Sequence, residues 1–258
     1  MDEQLNLALV QTSLVWENPQ ENRYIISKKI ADLASGVDLI ILPEMFTTGF
    51  TMSPENVPSK ESEKTLEWMQ LESKKHGAAI VGSVANSANG IYTNRLHFVQ
   101  PDGEAFHYDK RHTFTLAGED KVYKAGNIKL IVDYKGFRIC PMVCYDLRFP
   151  VWARNVEGYD LLLYVANWPQ PRIKAWDALL KARAIENMAY CIGVNRIGTD
   201  EKGHSYNGHS AVYDCLGEEK SYSDKEEIIY STISREHIVS TREKLRFLED
   251  RDDFSLEL

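Results

Sequence analysis

This 258-residue chain predicts an α/β fold, and three observations carry the prediction. Short, β-rich apolar runs recur, among them Leu39-Ile40-Ile41-Leu42, Ile139-Cys140-Pro141-Met142-Val143 and Leu161-Leu162-Leu163-Tyr164-Val165-Ala166. Runs of this length and composition read as strands buried on both faces. Stretches with apolar residues at helical spacing alternate with them. At 43% hydrophobic content the chain is also long enough to enclose one large core.

Taken in order, the first strand is Leu7-Ala8-Leu9-Val10-Gln11, followed by helical spacing over residues 19–33. The second strand, Leu39-Ile40-Ile41-Leu42, stops at Pro43, which has no N–H to give to a ladder. A second helix is expected over residues 61–75, then strands over residues 78–84 and 94–99. In Phe106-His107-Tyr108 apolar and polar residues alternate, as on a half-buried strand. The run ending at Val143 and the run over residues 160–167 are buried strands. After Pro171, Ile173, Trp176, Leu180, Ala184 and Met188 form one helical stripe, read as core packing. Strands over residues 191–195 and 228–233 complete the pattern. No repeat, low-complexity tract or Pro/Gly/Ser linker interrupts it, so a single domain over residues 1–258 is the simplest account.

Composition excludes several function classes. A net charge of −8 leaves no basic footprint for nucleic acid. No run approaches the roughly 18 apolar residues of a membrane helix, and the Met1-Asp2-Glu3 start lacks the basic and apolar regions of a signal peptide. Cys140, Cys144, Cys191 and Cys215 show neither CxxC nor Cys/His metal spacing. The expectation is a cytoplasmic protein with no metal, no cofactor, no nucleic-acid partner and no membrane partner.

Chemistry concentrates at three strand ends. Cys144 closes an apolar run and precedes the polar exit Tyr145-Asp146-Leu147-Arg148-Phe149-Pro150. The carboxyl ends of strands in an α/β sheet face a crevice where side chains can act. A thiol there is either a small buried hydrophobe or a nucleophile whose proton a base removes. Glu44 leaves the second strand beside Met45 and Phe46. A carboxylate in apolar surroundings takes a proton more readily than one in water; the alternative is a glutamate pointing into solvent. Lys110, past Phe106-His107-Tyr108-Asp109, is either a solvated lysine or a stabiliser of a developing oxyanion. None of the seven histidines sits in a stretch resembling a catalytic His motif, and Gly208-His209-Ser210-Ala211-Val212 lacks the second glycine of a nucleophile elbow. His107, His112, His204 and His209 are read as surface or supporting residues.

Together Leu42-Pro43-Glu44, Tyr108-Asp109-Lys110 and Val143-Cys144-Tyr145-Asp146, in that order and at those separations, resemble the nitrilase superfamily of carbon–nitrogen hydrolases. The resemblance runs from the first strand to about residue 233. It implies a four-layer α-β-β-α sandwich and a Glu44-Lys110-Cys144 triad, with Glu119 positioning the lysine and substrate. It also implies a cysteinyl thioester intermediate hydrolysed by water. Lys110 and the Tyr145 backbone N–H would hold the oxyanion. Two chains of the family usually pair, so a homodimer or higher homo-oligomer is expected. Residues 235–258 are either part of that interface or a frayed end.

The stretch from Cys144 to Pro150, with Val165-Ala166-Asn167-Trp168-Pro169 and Arg183-Ala184-Ile185-Glu186-Asn187, is similar to the ω-amidase branch and its bacterial relatives linked to methionine salvage. That implies a small-molecule substrate, a short 2-oxo dicarboxylic acid monoamide such as 2-oxoglutaramate or 2-oxosuccinamate. Its carboxylate needs a cation. Arg148 either meets it or pairs with Asp146 to brace the loop, and Arg172 is a second candidate. Phe114 and Trp168 either wall the pocket or belong to the core. The alternatives are the same triad acting on a nitrile, a carbamoyl amine or deaminated glutathione, or a non-catalytic oligomeric scaffold.

Overall fold

The computed structural model describes residues 3–256. Met1 and Asp2, on which the expectation about the chain start partly rests, lie outside the described residues, as do Glu257 and Leu258 of the tail. Fourteen strands among the described residues form two six-stranded sheets and a small hairpin. The first sheet comprises β1 (Gln4–Gln11), β2 (Leu39–Ile41), β3 (Ala79–Ala88), β4 (Ile91–Val99), β5 (Ala105–Asp109) and β14 (Glu227–Ser234), in the order β14-β1-β2-β3-β4-β5. The second comprises β6 (Val132–Tyr134), β7 (Phe137–Val143), β8 (Leu161–Ala166), β9 (Tyr190–Asn195), β12 (Ser210–Tyr213) and β13 (Glu219–Ser223), in the order β13-β12-β9-β8-β7-β6. β10 (Ile197–Thr199) and β11 (Ser205–Asn207) pair as the hairpin.

Each large sheet has a parallel trio at its centre, β1-β2-β3 in one and β7-β8-β9 in the other. Parallel strands need crossovers. The helices α1 (Pro19–Ile30), α2 (Glu61–His76) and α4 (Ile173–Asn187) supply three of them; a short α3 (Pro150–Ala153) precedes β8. Side chains alternate across β1 and β2. Leu5, Leu7, Leu9, Leu39 and Ile41 join the core between the sheets, whereas Val10 and Ile40 pack with Ile26, Ile30 and Met69 of α1 and α2. On the far side, Trp176, Leu180 and Ala184 of α4 seal the second sheet. A Cβ at Gly193 in β9 would lie 2.4 Å from Leu180 Cδ1, so only glycine admits the helix this close. The result is the four-layer α-β-β-α sandwich.

Some boundaries differ from the sequence expectation. α1 stops at Ile30 rather than near residue 33, and Met188 belongs to the turn ending α4 (φ 43°), although it is buried. Ile173 is only half-buried. The strands β6 and β10 to β13 escaped prediction because they are short and carry no long apolar run. α5 (Arg235–Leu245) also went unpredicted; the Ser234 side chain caps it by accepting from the His237 N–H. Ile238 is buried against the core, and Arg242 donates to Asp160, to the Tyr159 carbonyl and to the Met188 carbonyl. The first half of the tail is thus docked on its own chain, while residues 251–256 are exposed. Among the described residues no helix is long and apolar enough to cross a membrane.

Candidate active site

The strand ends bring the predicted residues together. Past β2, Leu42 still donates to the Val81 carbonyl, Pro43 ends the ladder, and Met45 adopts φ 42° with its N–H on Ser83 Oγ (2.9 Å). That turn aims Glu44 inward, and the residue is fully buried. Lys110 follows β5. Its N–H donates to the Asn94 carbonyl and its own carbonyl accepts from Gly126 (both 2.9 Å). A Cβ at Gly126 would lie 2.2 Å from the Asp109 carbonyl oxygen, which accounts for glycine where this segment crosses behind the lysine. Glu119 comes from a 3₁₀ turn, Glu119–Lys121, and is fully buried.

Lys110 Nζ donates to Glu44 Oε1 at 2.8 Å and to Glu119 Oε2 and Oε1 at 2.9 and 3.1 Å. The lysine is 1% exposed. Burial alone would push its pKa down, but the Glu119 and Glu44 carboxylates outweigh burial and hold the ammonium above the usual lysine range. Desolvation raises the Glu119 carboxyl, opposed by Lys110 and reinforced by the like charge of Glu44. Neither the solvent-pointing glutamate nor the solvated lysine describes these side chains.

Cys144 starts the turn after β7 with φ 46°, a left-handed conformation that costs a non-glycine residue of order 1 kcal/mol or more. Asp146, fully buried, holds this turn by accepting from Val143 N–H (3.1 Å), Tyr108 hydroxyl (2.8 Å) and His112 N–H (2.9 Å), with His112 Nδ1 also at 2.8 Å. The predicted Asp146–Arg148 brace is therefore corrected. Asp146 does brace the loop, but through Tyr108 and His112 on the lysine segment, because Arg148 points into the pocket instead. His112 also stacks on Phe149 at 3.7 Å between ring centroids. The Cys144 thiol is pushed well above its ordinary pKa, first by burial and then by the adjacent Glu44 carboxylate, with Lys110 opposing. That direction favours the neutral thiol, with the Glu44 carboxylate beside it. Cys140 and Cys191 are raised mainly by burial, and the ion pairs that reach them, Lys129–Glu157 and Arg183–Glu186, have half-open carboxylates, unlike the fully buried Glu44 and Glu119.

A cavity of about 250 Å³ opens over Cys144. Phe114, Tyr145, Arg148, Trp168 and Arg172 all line it, with Phe50, Met52 and Asn167. Phe114 and Tyr145 pack edge-to-face at 4.9 Å. Trp168 serves both roles expected of it, lining the cavity while only 3% exposed in the core. The Arg148 guanidinium lies 4.9 Å from the Trp168 ring centre and that of Arg172 lies 5.0 Å from Phe114. Neither guanidinium meets a carboxylate among the described residues. Among the described residues the one acidic side chain on the wall, Asp200, is already engaged by the N–H groups of Lys202 and His204, by His204 Nδ1 and by the Tyr206 hydroxyl.

Sequence reasoning missed several residues here. Asn94 donates to both glutamates; Asn167 gives its N–H to Glu44 Oε2 (2.8 Å) and its Nδ2 to the Glu44 carbonyl (2.6 Å). Asn195 accepts from the Trp168 N–H at 2.7 Å. Asn167 and Asn195 follow or end parallel strands, so the strand-end rule that found Glu44 and Cys144 applied to them also. Lys202, His204 and Tyr206 reach the cavity from the β10–β11 hairpin, which carried no signal. His107 is exposed and His209 pairs with Asp177. Among the described residues no group of three or more His, Cys, Asp or Glu side chains is arranged to hold a metal ion.

Residues 6–243 match the family model described as carbon-nitrogen hydrolase. The chain is 44% identical over 254 residues to the omega-amidase YafV of Yersinia enterocolitica, covering 98% of each. It is 29% identical over 250 residues to a 2-oxoglutaramate amidase of Bacillus subtilis, covering 95% of this chain and 96% of that one. Among solved structures, the CN-hydrolase superfamily protein XC1258 of Xanthomonas campestris, which carries an arsenic adduct in its active site, superposes with a TM-score of 0.95. It is 40% identical, with 98% of this chain and 99% of that one covered.

Proposed function

The chain belongs to the carbon–nitrogen hydrolase family and is an amidase, and from that premise we propose that it hydrolyses the terminal amide of a short 2-oxo dicarboxylic acid monoamide, 2-oxoglutaramate or 2-oxosuccinamate, to the acid and ammonia. The observation that carries the substrate is the pair of arginines, Arg148 and Arg172, facing the cavity over Cys144 without a carboxylate of their own. An anionic substrate supplies one. The names of the Yersinia and Bacillus relatives point to the same class. A free amino acid amide such as glutamine brings an ammonium, and the wall has only Asp200 to receive it, whose carboxylate is already occupied. The methionine-salvage setting rests on the sequence motifs alone.

In this mechanism the Cys144 thiol gives its proton to Glu44 as sulfur bonds to the amide carbon and the C=O pair moves onto oxygen. Lys110 and the Tyr145 N–H stabilise that oxyanion. Collapse breaks the C–N bond, and Glu44 returns the proton to the departing ammonia. Glu44 then deprotonates a water that cleaves the thioester, releasing the acid and the thiol. Glu119 holds Lys110 in place and keeps it charged.

The test is ammonia release from the two 2-oxo amides beside glutamine, asparagine and a simple nitrile. Turnover of the 2-oxo amides at least tenfold above the others is the expected result; equal or better turnover of glutamine or the nitrile would remove the substrate class. Arg148→Ala and Arg172→Ala are each expected to raise KM about 10- to 100-fold, the worth of a charge-assisted hydrogen bond, with a smaller change in kcat. An unchanged KM in both would place the carboxylate elsewhere.

The reading extends to assembly: one domain over the whole chain, pairing as a homodimer with the C-terminal segment at the interface. Phe247, Phe254 and Leu256 are exposed in a single chain, and burying them is favourable. Sedimentation of the full chain should give a dimer, and truncation after Asp250 should weaken it. A monomer at all concentrations would end this proposal.

A further inference from the structure

Asn94, on β4, is 1% exposed. Its Nδ2 donates to Glu44 Oε1 at 2.8 Å and to Glu119 Oε1 at 3.0 Å. Lys110 Nζ donates to the same two oxygens. The four side chains therefore close a ring in which each Oε1 accepts twice. Only the nitrogen of the amide can face two carboxylates, so its orientation is set by chemistry. The cost is visible on the other side, where Asn94 Oδ1 is buried with no hydrogen-bond partner. A buried acceptor left unsatisfied is expensive and calls for an explanation.

Counting lone pairs supplies one. A carboxylate oxygen accepts about two hydrogen bonds. Glu44 Oε1 has both, from Lys110 and Asn94, whereas Oε2 has one, from the Asn167 N–H. We propose that Asn94 is a positioning residue that saturates Oε1 of Glu44, leaving Oε2 as the oxygen that takes the Cys144 proton, and that ties Glu119 to Glu44 so both share the Lys110 ammonium. This rests on the assignment of Glu44 as base and Cys144 as nucleophile. The charged and titratable groups packed around the ring are Lys110, Glu119, Glu44 and Cys144, with Tyr123 near Glu119 and Tyr206 near Glu44. Burial pushes both tyrosines up, so they stay neutral.

Asn94→Leu keeps the volume and removes both donors; Asn94→Ser keeps one. In Asn94→Leu, kcat is expected to fall about 10- to 100-fold, the loss typical of an orienting partner, with KM within about twofold. Losing donors to the charged form favours protonation, so the acid limb of the pH–rate profile should move to higher pH by about one unit. Alkylation of Cys144 by iodoacetamide across pH, which needs no turnover, should show a matching upward displacement. Asn94→Ser should fall between Leu and wild type on both scales and carries the test if Asn94→Leu does not fold. A merely structural asparagine would lower the melting temperature without moving either profile, and that result overturns the proposal. Full activity in Cys144→Ala would instead overturn the assignment beneath it, so the two failures are distinguishable.

Discussion

Cys144→Ala is expected to lower turnover by on the order of 10⁴-fold or more, the loss that follows removal of the nucleophile of a covalent mechanism, with the protein still folded. The side chain is a single sulfur at the cavity floor, 9% exposed, and its loss leaves a space the cavity already adjoins. Cys144→Ser is expected to be almost as inactive. The thiol's pKa is already raised by burial and by Glu44, and a hydroxyl, far less acidic, would ask more of the same base. Ammonia release read beside a thermal melt checks both variants. Near-normal activity in either one removes the thioester mechanism.

Glu44→Gln is the second large effect, with an expected loss of about 10³-fold or more in kcat, since the base acts in both half-reactions. Glutamine keeps an acceptor oxygen for Lys110 and Asn94, loses the acceptor used by the Asn167 N–H, and has no lone pair basic enough to take a thiol proton. The fold should survive, because Glu119 remains to pair with the Lys110 ammonium and the site passes from two carboxylates per ammonium to one. Rapid-quench measurement separates the steps. No burst of ammonia is expected. A full burst followed by a stalled acyl-enzyme would show that another group starts the reaction and that Glu44 serves only thioester hydrolysis. The wild-type pH profile should show no limb from thiol ionisation near neutrality, because burial and the Glu44 carboxylate hold the Cys144 thiol well above its ordinary pKa.

Much of the scaffold was legible because its signals are local. The apolar run Leu39-Ile40-Ile41-Leu42, the run ending at Val143 and the run over residues 160–167 became β2, β7 and β8, and the stripe of Trp176, Leu180 and Ala184 became the inner face of α4. Periodicity and apolar length belong to consecutive residues, so they survive without knowledge of neighbours. Strands such as Ser205–Asn207 and Ser210–Tyr213 were not legible. They are strands because β10 and β9 offer ladders to join, not because their own residues demand it.

By itself the sequence determined the α/β class, the positions of Glu44, Lys110 and Cys144 at strand ends, and the family they resemble. Only the tertiary structure decided what surrounds them. It turned Arg148 away from Asp146 and over Trp168, assigned the loop brace to Tyr108 and His112, and set Asn94 between the two glutamates. The reason is distance along the chain. Glu44 meets Asn94 across 50 residues, Lys110 across 66 and Asn167 across 123, and a hydrogen bond of 2.8 Å depends on the packing of two whole sheets, which no local pattern encodes.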